Sequence, residues 1–390
     1  MQTDRRSFLV AAGASALAAG ASALQAQTEK PIRLAIVGSG HRGWAHLAVL
    51  KGMPQYQVVA IADPTPANLD RGASLAPGAK TYSDYRKLLA ERNDIDAVVV
   101  ITPSFLHSEV TVAALNRGLP VLCEKPMATS VEDANKMIEA SKKAGKPLYI
   151  GFQKRLVPVT IKMHELAAAG EIGKIEFVSG NLFRGDWNPE SWKYTDPKTG
   201  VATNWRYLTH TEGSAILEDG IHEIDSLNWI INSPVARVTA AGGNNVYKDR
   251  ETVDHAALIV EYENGIKLSF DFCLFGASAG PQSRRMVIIG SDGVMTPEEG
   301  KVAIRKRSGG GVRYIDVKDT TPKPAVAAAP GASALDNETY KQYQLFAKTV
   351  REGQAPLVSP DDAKKAIKLV LLAEKSLRTH RIMNWNDLPA

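Results

Sequence analysis

Short apolar runs alternate with amphipathic stretches through the first 150 residues. Ile32, Leu34, Ala35, Ile36 and Val37 form one run, continuous enough for a strand buried on both faces. Val58 to Ala62, Ile95 to Ile101, Leu119 to Cys123 and Pro147 to Gly151 are others. Between them, Trp44 to Leu50, Pro66 to Leu75, Asp84 to Glu91, Phe105 to Arg117 and Val131 to Lys143 read as helices. Pro66 suits a first helical turn, Ser83 and Ser130 suit N-caps, and Gly118 and Gly145 suit helix ends. Alternation of this kind predicts a doubly wound parallel sheet with helices on both faces, and such sheets bind ligands at the carboxyl ends of their strands.

The pattern changes in the second half. Lys174 to Phe183, Val235 to Gly242, Ala256 to Tyr262, Ile266 to Phe272, Met286 to Gly290 and Val302 to Lys306 have β character. Asn264-Gly265 and Ser291-Asp292-Gly293 are hairpin signals, so an antiparallel sheet is expected. Thr320 to Ala334 is rich in Pro and Ala and reads as a linker; Asn337 to Arg351 and Asp361 to Arg378 are amphipathic helices. No internal repeat is visible.

The first strand runs into Gly38-Ser39-Gly40-His41-Arg42-Gly43, a G-x-G-x-x-G followed by a helix. Glycines at this spacing allow a tight turn, a close approach of backbone to pyrophosphate, and close packing of helix on strand. The second apolar run ends in Asp63, twenty residues after Gly43, where a carboxylate binds the adenosine ribose hydroxyls. A dinucleotide site follows. Asp63 repels a 2′-phosphate and favours NAD over NADP, although Arg71 on the next helix is a cation that NADP would use.

Composition adds limits. The 390 residues suffice for two domains; 44% hydrophobic and 23% charged residues are ordinary for a globular protein, and the net charge of +5 is spread along the chain as on a solvated surface. This argues against a nucleic-acid partner. Two cysteines, Cys123 and Cys273, exclude a disulfide framework, and no metal is expected. At the N-terminus, Arg5-Arg6-Ser7-Phe8-Leu9 precedes a weakly apolar Ala/Gly/Leu run to Leu24, which resembles a twin-arginine signal peptide covering residues 1–26. No other segment is long and apolar enough to span a membrane.

Other residues gather in candidate loops. Thr102-Pro103-Ser104-Phe105-Leu106-His107 and Glu124-Lys125-Pro126 follow two of the strands. Pro126 holds Lys125 out of the helical region at the sheet rim, where a lysine can move protons, although a surface turn fits that tripeptide as well. Ala215 to Asp225 opens a helix with Ile221, Ile224, Asn228 and Ile231 on one face and His222, Asp225 and Trp229 on another. Glu218 precedes His222 by four residues, so a helical turn would bring them together. On spacing alone, His222 reads as a satisfied buried histidine. Asn181 to Arg206 holds Trp187, Trp192, Tyr194 and Trp205, with Tyr207 just beyond, among Arg184, Asp186 and Asp196. Aromatic faces beside polar groups suit a sugar.

Together these pieces, with Gly151-Phe152-Gln153-Lys154-Arg155, Trp205-Arg206 and Gly213 through Asp225, resemble the glucose–fructose oxidoreductase / inositol dehydrogenase family, Gfo/Idh/MocA, over residues 30 to 385. The resemblance implies an α/β protein. It has an NAD(P)-binding Rossmann domain at 30–151 and a substrate-binding and oligomerisation α/β domain with a large open, mainly antiparallel sheet at 152–335. Carboxy-terminal helices at 336–390 pack back on the first domain. It implies that Gly38, Ser39, Gly40, His41, Arg42, Gly43, Asp63, Thr102, Pro103, His107, Glu124, Lys125, Trp205 and Arg206 hold the cofactor. Lys125, Arg155, Tyr207 and His222 would meet the substrate. It makes His222 the acid/base, assisted by Glu218 and Lys125, in hydride transfer between a sugar carbinol and a nicotinamide. The chain departs from the family pattern at Glu212-Gly213-Ser214, where the family has three glycines, and at Glu218, where it has Asp, so that Asp219 is the alternative for the assisting role. A homo-oligomer, dimer or tetramer, is expected. Export to the periplasm, where no NAD pool exists, favours a tightly held cofactor in a sugar oxidoreductase. The alternative is an NAD-dependent, redox-neutral glycoside hydrolase working by oxidation, elimination and reduction, with Tyr207, His210 or Tyr194 as a second base.

Overall fold

A computed structural model describes residues 30–185, 193–195, 202–276, 285–319, 321 and 336–389. The twin-arginine segment, Asp186, Trp187, Trp192, Asp196 and most of the Pro/Ala-rich stretch lie outside the described residues.

The first sheet is built from β1 (Ile32–Val37), β2 (Tyr56–Ala62), β3 (Lys80–Tyr82), β4 (Ala97–Val100), β5 (Val121–Glu124) and β6 (Leu148–Gly151), all parallel, in the order β3-β2-β1-β4-β5-β6. Helices α1 (His41–Lys51), α2 (Pro66–Leu75), α3 (Tyr85–Glu91), α4 (His107–Asn116) and α5 (Val131–Ala144) make the crossovers. Strand order reverses between β1 and β4, which opens a crevice at their carboxyl ends. β4 is buried at every position, as its run of β-branched residues requires. Ser130 caps α5 by accepting from Asp133 N, and Gly145 ends it with φ +60°. The cap of α3 differs from expectation: Asp84, not Ser83, accepts from Arg86 N. Strand β3 is three residues long at the sheet edge, too short for a periodic signal.

After α6 (Pro158–Ala168), the chain forms β7 (Ile175–Phe183), a small hairpin of β8 (Lys193–Thr195) and β9 (Ala202–Asn204), the short α7 (Thr209–Glu212) and α8 (Ile221–Ile231). The rest is β10 (Val235–Gly243), β11 (His255–Tyr262), β12 (Lys267–Cys273), β13 (Met286–Gly290), β14 (Gly293–Glu298), β15 (Lys301–Lys306), β16 (Val312–Asp316), α9 (Asp336–Glu352), α10 (Pro360–Thr379) and β17 (Met383–Asn384). The second sheet has nine strands in the order β16-β15-β14-β13-β7-β12-β11-β10-β17. Every neighbouring pair is antiparallel except β7 with β12. One face is packed under helices: at Gly180 in β7 an added Cβ would lie 2.6 Å from Leu227 Cδ1 of α8, so a larger residue there would push that side chain aside. The pleat puts Phe177, Phe183 and Ile259 on the other face, where they are exposed.

The last two helices tie both sheets together. Tyr343, Phe346 and Ala347 of α9 join the core of the first sheet. On α10, Lys364 donates to Asn135 of α5 at 3.0 Å, and Ser376 Oγ accepts from Ala240 N of β10 at 3.0 Å.

Candidate active site

Local backbone chemistry builds one wall of the crevice. Gly38 has φ +98°, and a Cβ there would lie 2.4 Å from the Ile101 carbonyl oxygen. At Gly43 a Cβ would lie 2.2 Å from the Gly38 carbonyl oxygen. Packing of protein on protein therefore demands those two glycines. Gly40 is different: a Cβ there meets only Asn68 Nδ2 at 3.7 Å, so protein packing does not explain it. Space is kept at the N-terminus of α1 for something else. A dinucleotide pyrophosphate fits it.

Asp63 is buried at the end of β2, where it accepts from Ser39 N (2.9 Å), Thr65 N (2.9 Å) and Asn68 Nδ2 (3.1 Å). A carboxylate offers about four acceptor sites, so capacity remains for a ribose hydroxyl. Ser39 Oγ donates to the Asn68 carbonyl at 3.0 Å, His41 opens α1, and Arg71 lies over the Trp44 ring at 4.2 Å. Pro103 leads the turn after β4; the buried Thr102 Oγ1 beside it has no protein partner. His107 bridges two loops: Nδ1 lies 2.7 Å from the Pro126 carbonyl oxygen and Nε2 2.9 Å from that of Thr102. Burial holds its imidazole below the usual histidine range.

Glu124 was expected at the cofactor, but its carboxylate is given to protein groups. Oε1 accepts from Arg42 Nε and lies against His46 Nε2, each at 2.8 Å; Oε2 accepts from Lys125 N at 2.9 Å. His46 Nδ1 continues to the Tyr343 hydroxyl at 2.8 Å, and Arg42 Nη2 to Thr339 Oγ1 at 3.0 Å. The buried carboxyl is held well below its ordinary value by Arg42 and His46 against the opposing effect of burial. Glu124 and Arg42 thus lock the Glu-Lys-Pro turn to α1 and α9. His46, Thr339 and Tyr343 had no sequence signal, because they become partners only through contacts across hundreds of residues.

Lys125 reaches across to the second domain, where its Nζ donates to the Glu218 carbonyl at 2.5 Å and lies 3.9 Å from Glu218 Oε2. The expected pairing of Glu218 with His222 does not form. Residues Ile216–Gly220 make a single π-helical turn, which carries one more residue per turn than an α-helix and swings Glu218 out of line with His222. Glu218 instead accepts from Ser104 Oγ.

His222 is buried, with its Nδ1 lacking any protein partner and Phe152 edge-on at 5.8 Å between ring centroids. Burial first, then the Lys154 and Lys125 cations, hold its imidazole well below the usual histidine range. These influences favour the neutral ring, the form that keeps an acceptor nitrogen. Lys154, an unforeseen neighbour, is paired with Glu223.

Arg155, expected at the substrate, is paired within the protein. It is buried and gives both arms of its guanidinium to Asp225, Nε to Oδ2 at 2.8 Å and Nη2 to Oδ1 at 2.7 Å. Arg206 is likewise enclosed, donating to Asp219 and, at 3.2 Å, to Glu212, while Arg184 Nη1 donates to Asp219 at 2.9 Å. Burial pushes the Glu212 carboxyl up to about 8 despite Arg206. Trp205 is buried and forms an aromatic cluster with Phe105 (6.4 Å), which meets Tyr194 edge-on at 5.3 Å. The Tyr207 ring carries the Arg250 guanidinium at 4.4 Å. Among the described residues no group of His, Cys, Asp and Glu is arranged to hold a metal.

Residues 32–152 match the model of an oxidoreductase family with an NAD-binding Rossmann fold, and residues 160–296 match the GFO/IDH/MocA C-terminal domain. The inositol 2-dehydrogenase of Corynebacterium glutamicum is 27% identical over 245 residues, 61% of this chain and 65% of that protein, just under two thirds of its length. The myo-inositol 2-dehydrogenase of Thermotoga maritima is 26% identical over 366 residues, 92% of this chain and 99% of that protein. The structure of a levoglucosan dehydrogenase in complex with NADH and levoglucosan shares the fold at a TM-score of 0.76, with 20% identity over 93% of this chain and 100% of that one.

Proposed function

Because the chain belongs to the Gfo/Idh/MocA family and its first domain is an NAD-binding Rossmann domain, we propose that it oxidises a carbinol carbon of a sugar or sugar derivative such as a cyclitol. One observation carries the reading: the imidazole of His222 is buried, its Nδ1 has no protein partner, and it lies within electrostatic reach of the Lys125 side chain. His222 accepts the hydroxyl proton as the alkoxide develops, and Lys125 donates a hydrogen bond to the same oxygen. The nicotinamide, when bound, supplies the hydride acceptor. Glu218 holds Lys125, Glu124 anchors the backbone of Lys125, and Thr102 offers its free hydroxyl to the cofactor. Phe105 and Tyr194, backed by the buried Trp205, give the C–H faces of a sugar an apolar surface.

The Arg5-Arg6 motif supports export of the folded protein with its cofactor retained. In that setting a closed redox cycle works, whether sugar–sugar transfer or redox-neutral glycoside cleavage. The exposed Phe177, Phe183 and Ile259 suit a homo-oligomer joined through the open sheet face.

The test is a panel of sugars and cyclitols followed by NADH absorbance, with His222→Ala beside wild type. General acid–base catalysis is worth about a hundredfold to ten-thousandfold, so the variant should lose that much turnover. A variant within about tenfold of wild type refutes the role of His222. Protein purified without added nucleotide is then denatured and any dinucleotide identified by mass. An empty protein with weak NAD affinity sinks the retained-cofactor reading. With retained NAD, release from aryl glycosides without added NAD favours the glycosidase cycle, and oxidation of one sugar coupled to reduction of another favours transfer.

A further inference from the structure

Glu218 lies between two side chains of the first domain. Ser104 Oγ donates to its Oε1, and Lys125 Nζ stands 3.9 Å from its Oε2 while donating to its backbone carbonyl. Ser104 itself is buried, in the loop that follows β4. Ser104 lies in the Thr102–His107 candidate loop, but nothing in the sequence links it to Glu218. Its partner stands 114 residues away, on the π-helical turn.

A buried carboxylate stays ionised only where hydrogen bonds and cations replace water. Every charged group around Glu218 bears on this. Burial pushes the carboxyl above its ordinary value; Lys125, Arg206 and the Ser104 hydroxyl pull it down; Asp219 beside it pushes it up. Glu212 on α7 also interacts with Glu218. Burial and the neighbouring carboxylates oppose two cations, and Ser104 is the one neutral side chain that donates to the carboxylate.

We propose that Ser104 is a positioning residue: its hydroxyl keeps Glu218 ionised and aimed at Lys125, so that the Lys125 side chain is held in place at the reacting oxygen. The inference rests on the role given above to Lys125. It links the cofactor-side loop to the acid/base apparatus, so a change in that loop is felt at the lysine without touching His222. Removing the hydroxyl raises the affinity of Glu218 for its proton. Since the ionised form is the working one, activity is then lost at a higher pH than in wild type.

The experiment uses Ser104→Ala and Ser104→Thr in the full chain. A hydrogen bond to a charged group is worth about one to two pH units here. The acid limb of the kcat profile should therefore move up by about one pH unit in Ser104→Ala and return in Ser104→Thr, which keeps the donor. Ser104→Cys, a weaker donor, gives an intermediate shift and serves if the alanine variant fails to fold. Independently, carbon-13 NMR of glutamate-labelled, substrate-free protein should show the Glu218 carboxyl, identified by its loss in Glu218→Gln, titrating higher in Ser104→Ala. An unchanged Glu218 titration, or activity lowered equally at every pH, overturns the proposal. A shifted titration in a protein that turns over no sugar or cyclitol refutes the proposed function and leaves the Ser104–Glu218 coupling standing.

Discussion

Replacing Gly40 and Gly43 one at a time by alanine separates what holds the fold from what holds the cofactor. At Gly43 the new methyl would sit 2.2 Å from a carbonyl oxygen and 2.9 Å from its carbon, both backbone atoms of Gly38 that cannot turn aside. The turn or α1 must shift, an overpacking cost of about 1–3 kcal/mol. Gly40 has φ −64° and ψ −159°, open to any L-residue, and a methyl there meets one amide nitrogen at van der Waals distance. Gly40→Ala should therefore unfold like wild type. Its methyl would instead occupy the approach to the pyrophosphate. Urea unfolding without NAD and then with NAD at about 100 times the wild-type Kd gives the readout. Wild type gains about 2.7 kcal/mol from saturating ligand, Gly40→Ala should lose most of that gain, and Gly43→Ala should start lower without ligand. A Gly40→Ala protein that keeps the full NAD-dependent gain refutes the placement of the dinucleotide over Gly40. Wild-type stability in Gly43→Ala refutes the packing argument.

Other perturbations test the buried charges. Arg155→Ala strands Asp225 in the core and should cost about 3–5 kcal/mol in urea unfolding, with Arg155→Met/Asp225→Leu recovering most of it. An altered KM at unchanged stability would instead return Arg155 to the substrate. Glu212 is held protonated when folded, with its pKa raised to about 8. Its contribution is thus fully present below the unfolded value near 4.5 and is lost as pH rises through about 8. Glu212→Gln should therefore gain stability relative to wild type by up to about 1.4 kcal/mol per pH unit across that window. A difference that stays constant between pH 5 and pH 8 refutes the raised carboxyl. The His222 imidazole should stay neutral at pH 6 in a proton NMR titration, since burial and two lysines depress it; a midpoint near the ordinary 6.5 contradicts this.

Legibility in the sequence followed the range of the physics involved. Strands β1, β2 and β4 and helices α2 and α5 were readable because burial on both faces, capping by Ser130 and the left-handed Gly145 act within a few residues. The edge strands β3, β16 and β17 were not, since a short or exposed strand carries no alternation to read. Gly38 and Gly43 stood out for the same local reason: a sharp turn and a close helix can be met only by glycine. Of the proposed chemistry, Lys125 was legible from Pro126 beside it. His222 stood out only through the family resemblance.

Tertiary structure decided which of two neighbouring charges each group would serve. Glu218 was aligned with His222 on paper, but one extra residue in the turn gave it to Ser104 and Lys125. Arg155 and Glu124 looked equally available to ligands. Partners 70 and 82 residues away, Asp225 and Arg42, took them into the framework. The chain alone therefore determined the two-domain plan, the glycine-rich turn after β1 and the residue types in the crevice, because backbone conformation and hydrophobic periodicity are local. Which carboxylates are structural, which lysine is held in place, and why the imidazole is neutral depend on burial and on charges brought together by folding, and only the folded arrangement supplies those.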